Sequence, residues 1–211
     1  MVSDTRRKTD EKRKEQTRDR LLESAVLVLV RKGYRDTLIS DIVGECGVGQ
    51  GTFYRHFKSK RDILEELFDD FALKLLDGFA DFESTPPNSL QEYVELSVNG
   101  AMKAATVLVE NQELTWLFLR EGPAIDTDFE QRLSDVFDQF ATLARLYLEH
   151  AMKSGFARSC DAEIISQCLV GMARRLVERS VREPVNNHEM KQKVYEAVQF
   201  AFKGIGRKQD G

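Results

Sequence analysis

Residues 37–60 read TLISDIVGECGVGQGTFYRHFKSK. The first part of this stretch places three apolar side chains on one helical face: Ile39, Ile42 and Val43. The apolar pattern stops at Gly47, which has no Cβ and can adopt the positive φ of a tight turn. Val48 and Phe53 then supply apolar contacts for a second short helix whose other positions are mostly polar. The spacing predicts a helix-turn-helix, an arrangement that can place its second helix in the major groove of DNA.

The polar side chains of the second helix are of the types that contact DNA. A Gln side chain can bond adenine bidentately, and a Thr methyl group can touch the methyl group of thymine. Tyr and Lys side chains suit phosphates, which position a protein without reading sequence. We therefore predict nine DNA-contacting residues: Thr37, Gln50, Gly51, Thr52, Tyr54, Arg55, His56, Lys58 and Lys60.

These residues resemble the signature of the TetR family of one-component transcriptional repressors. In that family a small polar residue opens the second helix, and the pattern A-x-x-G-V-x-x-x-T-x-Y-x-H-F-x-x-K follows. The matching positions are Thr37, Ile42, Gly47, Val48, Thr52, Tyr54, His56, Phe57 and Lys60. The resemblance covers residues 19–67, and it is broken at Glu45 and Cys46, where the family usually has a small Ala.

Gly49 and Gly51 lie next to this signature and have two interpretations. Each Gly inside a helix costs about 1 kcal/mol relative to Ala, so we expect a flexible recognition helix that orders fully only on DNA. The glycines also resemble half of a dinucleotide-binding loop. That loop requires a preceding strand and an acidic residue at the end of a second strand about 20 positions on, whereas residues 62–82 read as a helix.

The charge is unevenly distributed along the chain. Residues 1–60 contain 14 Lys and Arg against 9 Asp and Glu, a net charge of +5, and the remaining residues carry −9. Residues 1–18 are basic and almost without apolar side chains, so we expect a flexible arm that reaches phosphates or a minor groove. The alternative is that the arm serves only solubility.

Apolar side chains recur at three- and four-residue spacing through most of the chain, and no stretch alternates with period two. We predict an all-α fold of about nine helices, with a helix-turn-helix DNA-binding domain at 19–59 and a ligand-binding and dimerisation domain at 60–211. Outside residues 37–60, the expected helices span 18–33, 60–82, 89–111, 112–121, 126–154, 162–183 and 187–204.

For the second domain, the resemblance implies a cavity for a small apolar or amphiphilic ligand and a homodimer formed by the last two helices. The ligand candidates are Phe79, Tyr93, Ser97, Trp116, Phe118, Arg120, Phe137, Phe140 and Tyr147. Any one of these aromatic residues is more readily explained as plain core than as a ligand contact, and Arg120 favours an anionic amphiphile. The dimerisation candidates are Ile164, Cys168, Gly171, Met172, Arg175, Val194, Val198 and Phe202.

Other functional classes have little support in the sequence. The three histidines and three cysteines show no metal-ligand spacing, and no nucleophile or phosphate-binding motif occurs, so we expect no enzyme, no metal and no cofactor. We expect the cysteines to be small buried side chains. With no apolar run long enough for a membrane span and no signal-type core, we expect a cytoplasmic protein. The sequence leaves open a helical small-molecule-binding or scaffold protein without sequence-specific DNA binding.

Overall fold

The computed structural model describes residues 2–80, 87–183 and 186–205. Within these ranges the chain forms nine helices and no β-strand, which confirms the predicted all-α fold. The chain divides into two compact units, residues 1–71 and residues 72–211. The division lies inside the fourth helix rather than at residue 60, because the first turns of that helix belong to the core of the first unit.

The first unit contains α1 (Val2–Lys32), α2 (Ile39–Cys46), α3 (Gln50–Tyr54) and the beginning of α4 (Lys60–Asp77). Its core consists of side chains that are almost completely buried: Leu21, Ala25, Val28, Leu29, Ile42, Phe53, Phe57, Ile63 and Leu64. Each large apolar side chain buried in this way contributes about 1.5–3 kcal/mol to stability. This apolar core positions the short helix α3.

Helix α1 begins at Val2, whereas the sequence predicted a helix from residue 18 preceded by a flexible arm. The arm lacks apolar residues but is rich in Lys, Arg, Glu and Gln, which are good helix formers. Elongating a helix that is already nucleated by a buried segment costs far less than starting one. The pair Arg7–Glu11, joined at 3.2 Å, adds a favourable contact one turn apart. An absence of apolar residues therefore does not mean an absence of helix.

Two glycines end the helices of the first unit as predicted. Gly33 (φ 79°) follows α1, and its N–H donates to the carbonyl of Leu29 at 2.8 Å. Gly47 (φ 71°) follows α2. Gly49 is the residue before α3 and has an extended backbone (ψ 156°). Of Gly49 and Gly51, only Gly51 lies within α3, so the prediction of two destabilising glycines within this helix is wrong.

The second unit contains the end of α4 and five further helices: α5 (Leu90–Glu110), α6 (Gln112–Ile125), α7 (Thr127–Lys153), α8 (Ala162–Arg182) and α9 (Asn187–Ile205). Side-chain N-caps begin three of them. Ser89 accepts from the N–H of Glu92 at 3.1 Å, Asp126 from Phe129 at 2.8 Å, and Asp161 from Ile164 at 3.0 Å. The starts predicted for α7 and α8 are confirmed. Helix α4 ends at Asp77, before the predicted residue 82, and residues 81–86 lie outside the described ranges.

Helix α6 continues through Gly122 and Pro123, where the sequence predicted its end. A proline has a φ compatible with a helix, but it lacks an N–H and its ring clashes with the carbonyl four residues earlier. Only Ala124 and Ile125 of α6 follow Pro123. Gly122 is buried against Phe129 of α7: a Cβ at this glycine would lie 3.2 Å from the Phe129 ring. The glycine is therefore a packing contact between α6 and α7.

Candidate nucleic-acid interface

Helix α3 is held by two buried aromatic side chains. Phe53 and Phe57, one turn apart, are 0% and 1% exposed, and their ring centroids lie 5.7 Å from each other. The residues around them are less buried. The exposed side chains are Gln50, Tyr54, Arg55 and Lys58, with Thr52 and His56 half-buried. The short helix therefore presents polar groups at the surface on an apolar base.

Tyr54 and Thr52 are oriented by their neighbours. The Tyr54 ring packs edge-on against Phe53, with centroids 5.6 Å apart, and the side chain is 57% exposed. The Arg55 guanidinium donates to the Thr52 hydroxyl at 2.8 Å. These contacts fix the directions of the two side chains before any duplex binds, which lowers the entropy cost of binding.

His56 lies at the edge of this surface among positive charges. Burial lowers the pKa of His56 below its usual value of 6.5, and the charges of Lys14, Arg55 and Arg18 lower it further. Its Nδ1 atom is buried and has no hydrogen-bond partner among the residues that the structure describes. The imidazole is therefore neutral at pH 7, and the surrounding cations create a positive potential suited to phosphate.

The structure places two of the nine predicted DNA-contacting side chains elsewhere. Thr37 is 0% exposed, and its hydroxyl donates to the carbonyl of Gly33 at 2.7 Å. Lys60 donates from its ammonium to the carbonyls of Tyr34, Arg35 and Thr37. Both residues therefore hold the α1–α2 connection. The sequence could not indicate these contacts, because the partners are backbone carbonyls, which carry no sequence signal.

Sequence reasoning also missed a set of cations on α1 that connect the helices of the first unit. Arg18 forms a bidentate pair with Glu66 of α4, and its guanidinium lies 5.0 Å from the centroid of the Phe57 ring. Further contacts join α1 to α2: Arg20 to the Cys46 carbonyl at 2.6 Å, Arg31 to Glu45 at 3.1 Å and Lys32 to Asp41 at 2.7 Å. Acidic residues at matching positions on α2 and α4 were the available signal. Part of the positive charge therefore serves the fold.

The structure brings four of the nine predicted ligand-lining residues together: Phe79 packs against the buried cluster of Tyr93 and Tyr147 and also contacts Phe140, whereas the other five lie outside this group. Edge-on aromatic contacts join Phe79 to Phe140 and Tyr93 to both Tyr147 and Phe202, at 5.6–6.2 Å. The other contacts pair Phe118 with Phe129, Arg120 with the Trp116 ring and Arg174 with the Phe137 ring. Ser97 is half-buried. Burial also raises the pKa of Tyr93.

A small cavity of about 20 Å³ lies between α5, α6, α8 and α9. Its lining is mainly apolar, with three polar side chains: Leu108, Val109, Gln112, Thr115, Val177, Ser180 and Met190. A cavity of this size has room for about one water molecule. None of the nine predicted residues lines it, because the predicted set was chosen for aromatic character, whereas this lining depends on how the helices pack.

The residues predicted to form a dimer are exposed on α8 but half-buried on α9. On α8, Cys168, Gly171 and Arg175 are exposed, and Ile164 and Met172 are 60% and 37% exposed. On α9, Val194, Val198 and Phe202 are half-buried, and Phe202 packs on Tyr93 of the same chain. The face of α8 is therefore open, whereas Phe202 already has a partner within its own chain, because α9 packs on α5.

The cysteines are not all small buried side chains as expected. Cys46 is buried, Cys160 is half-buried and Cys168 is exposed on α8.

In the described ranges, no group of three or more His, Cys, Asp or Glu side chains is arranged to hold a metal ion. Across the same residues, no helix combines the length and the apolar character that a bilayer span requires.

Comparison with known proteins agrees with this geometry. Residues 21–67 match the family model described as bacterial regulatory proteins, tetR family. The chain is 29% identical to YdgC, a helix-turn-helix-type transcriptional regulator of Bacillus subtilis (strain 168), over 77% of this chain and 80% of that protein. It is 22% identical to the fatty acid metabolism regulator protein of the same organism, over 84% and 86%.

Solved structures share the fold. A transcriptional regulator of Aquifex aeolicus VF5 superimposes with a TM-score of 0.72 and 23% identity, covering 88% of this chain and 99% of that one. The regulator FadR of Bacillus subtilis, solved in complex with stearoyl-CoA, has a TM-score of 0.67 and 20% identity, covering 85% and 96%.

Fold and surface together define a helix-turn-helix, DNA-binding transcriptional regulator. The scaffold alternative is not supported, because the polar residues of α3 are exposed on a buried aromatic anchor and the relatives are regulators. Residues 21–67 form a DNA-binding domain of the TetR family, and the chain as a whole is similar to regulators of that family.

Proposed function

We propose that the protein is a homodimeric repressor that binds a palindromic operator and is released from it by a small apolar or amphiphilic ligand. The observation that carries the proposal is the exposure of Gln50, Tyr54 and Arg55 on a helix anchored by Phe53 and Phe57. Gln50 and the methyl group of Thr52 read bases, and Tyr54, Arg55 and Lys58 contact phosphates. Gly51, which has no side chain, lets the helix backbone approach the duplex closely.

The open face of α8 supports the homodimer. Ile164 and Met172 are apolar and exposed there, and Gly171 between them permits close approach of a second helix. A two-fold axis pairs the same face of two chains, so a single self-complementary surface is sufficient. Two chains present two copies of α3 to operator half-sites separated by about 10 bp or a multiple of it.

The names of similar proteins support an acyl amphiphile as the ligand. One relative is a fatty acid metabolism regulator protein, and FadR was solved with stearoyl-CoA. The second unit of this chain is rich in aromatic and aliphatic side chains, with Arg120 exposed beside the Trp116 ring. An anionic head group at Arg120 and an acyl chain among the helices fit that composition. The helices must separate to admit the chain, because the cavity of about 20 Å³ has room for only about one water molecule.

Release from the operator requires the ligand to prefer the arrangement that does not bind DNA, since equal affinity for both arrangements shifts nothing. Coupling of 1–3 kcal/mol, about 5- to 150-fold in operator affinity, is the usual range. The protein catalyses no reaction in this account, needs no cofactor, and acts in the cytoplasm where its operator lies.

Stearoyl-CoA is the first probe for the ligand, with coenzyme A alone as the control. Trp116 is the only tryptophan of the chain, so its fluorescence reports binding in the second unit. Stearoyl-CoA should change this fluorescence and weaken binding to the protein's own upstream DNA at least about fivefold. Coenzyme A should do neither. Binding that is equally tight with and without the operator would contradict release by this ligand.

A further inference from the structure

Lys60, the first residue of α4, lies against the connection between α1 and α2. Its ammonium donates to the carbonyls of Tyr34, Arg35 and Thr37, the last at 2.6 Å and Arg35 at 3.3 Å. The same nitrogen lies 4.3 Å from the centroid of the Tyr34 ring. Four groups of one short segment therefore converge on a single charge.

A lysine ammonium has three N–H donors and no acceptor. The three carbonyls use all three donors, so a phosphate can be bound only if one of these bonds is given up. A partly buried ammonium that faces carbonyl dipoles and an aromatic ring is also well compensated where it lies. Moving the Lys60 ammonium from these partners to a DNA phosphate would therefore bring little gain in free energy.

The carbonyls that accept hydrogen bonds from Lys60 lie in the segment that leads into α2. The carbonyl of Thr37 precedes Leu38, the residue that caps α2, and the Leu38 N–H donates to the Asp41 carboxylate at 2.9 Å. Helix α2 leads through Gly47 into α3. The other end of the contact is the first turn of α4, where Ser59 accepts from the N–H of Asp62 at 3.1 Å. One side chain thus connects the starts of α2 and α4.

We propose that Lys60 is a positioning residue that acts through the backbone of residues 34–37, holding α2, and with it α3, in a fixed orientation to α4, and that it does not contact DNA phosphate. This inference rests on the proposed DNA-binding function. It reverses the role that the signature suggests for this lysine, while Lys58, exposed two residues earlier, keeps the phosphate role.

Two substitutions separate the positioning role from a phosphate contact. Lys60→Arg keeps the charge, but a planar guanidinium fork cannot direct three N–H groups at three converging carbonyls as an ammonium does. Both Lys60→Arg and Lys60→Met should therefore lower affinity for the protein's upstream duplex by about tenfold, and both should leave the slope of log K against log salt unchanged. Lys58→Met should instead flatten that slope by about 0.9. If Lys60→Arg keeps parental affinity, or Lys60→Met flattens the slope as Lys58→Met does, the proposal is overturned.

Amine labelling of the unsubstituted protein tests the same contact without DNA and without a change in folding. An acetylating reagent followed by mass spectrometry should modify Lys60 about tenfold more slowly than Lys58 in the free protein, because Lys60 reacts only after a local opening. Equal rates would overturn the proposal even if the protein binds its operator. If Lys60 is labelled slowly but the protein binds no DNA, the contact of Lys60 with residues 34–37 is supported and the proposed DNA-binding function is contradicted.

Discussion

The Arg55 guanidinium donates a hydrogen bond to the Thr52 hydroxyl at 2.8 Å. The bond occupies the polar part of Thr52, and the methyl group remains as its apolar contact for a base. Thr52→Ser keeps the hydroxyl and removes the methyl group, whereas Thr52→Val does the reverse. Thr52→Ser should lose preference for thymine at one operator position, by about 1–3 kcal/mol, and Thr52→Val should retain it. Binding to a set of operators substituted one base pair at a time measures both. The opposite result would place the hydroxyl, and not the methyl group, on the base.

Gln50 and Tyr54 should respond differently to substitution. Loss of a bidentate base contact in Gln50→Ala costs about 1–3 kcal/mol and relaxes preference at one position. Tyr54→Phe keeps the edge-on packing against Phe53 and removes only the hydroxyl, so it should weaken binding to all sequences about equally. Affinities for the same set of substituted operators distinguish the two effects. Unchanged base preferences in Gln50→Ala would show that Gln50 does not read a base.

The first part of α1 should contribute to the salt dependence of DNA binding. Lys12, Arg13 and Lys14 are exposed on this helix, and Lys14 is close enough to His56 to lower its pKa. Replacing all three with Gln keeps good helix formers and should flatten the slope of log K against log salt by about 0.9 for each phosphate that is lost. The matched control replaces Asp10, Glu11 and Glu15 with their amides and should not flatten it. An unchanged slope in the first variant would show that these basic residues do not contact phosphates and would favour a role in solubility alone.

The stability of the first unit should depend on pH through His56. Its folded pKa lies below 6.5 because of burial and because of Lys14, Arg55 and Arg18. The unfolded chain therefore binds more protons just below this value, so the contribution of His56 is present above pH 6.5 and is lost as the pH falls toward the folded pKa. Urea unfolding of the parent and of His56→Gln from pH 5.5 to 7.5 measures the difference. The parent should lose more stability than the variant on acidification, and parallel curves would contradict the assignment.

An acidic residue on the open face of α8 should prevent the proposed dimer. Ile164→Asp places a charge at a position that is 60% exposed in the single chain, so folding should survive, while burial of the charge between two chains is costly. Leu146→Asp on α7, where the leucine is 46% exposed, is the matched control. Sedimentation should give a monomer for the first variant and a dimer for the second. A dimer in both would place the interface elsewhere.

The features that could be predicted from sequence are those set by near neighbours in the chain. Gly47 ends α2 because only a residue without Cβ adopts φ 71° readily, and Phe53 and Phe57 anchor α3 because they recur one turn apart. The N-caps Asp126 and Asp161 have the same local origin.

The features that could not be predicted depend on distant contacts. Lys60 meets carbonyls more than 20 positions away, and Arg18 pairs with Glu66 across 48 positions. Neither partner can be inferred from local spacing. The cavity beside Thr115 and Ser180 arises from the packing of four helices, so choosing aromatic residues from the sequence could not locate it.

Sequence-specific binding of DNA by α3 is the central claim, and fluorescence anisotropy tests it directly. The parent and Gln50→Ala are titrated at physiological salt with a labelled duplex from the protein's own upstream region and with a scrambled duplex of the same composition. The parent should prefer the upstream duplex by about 10³-fold or more, and Gln50→Ala should lose part of that preference while its affinity for the scrambled duplex is unchanged. Equal affinity of the parent for the two duplexes would contradict the account.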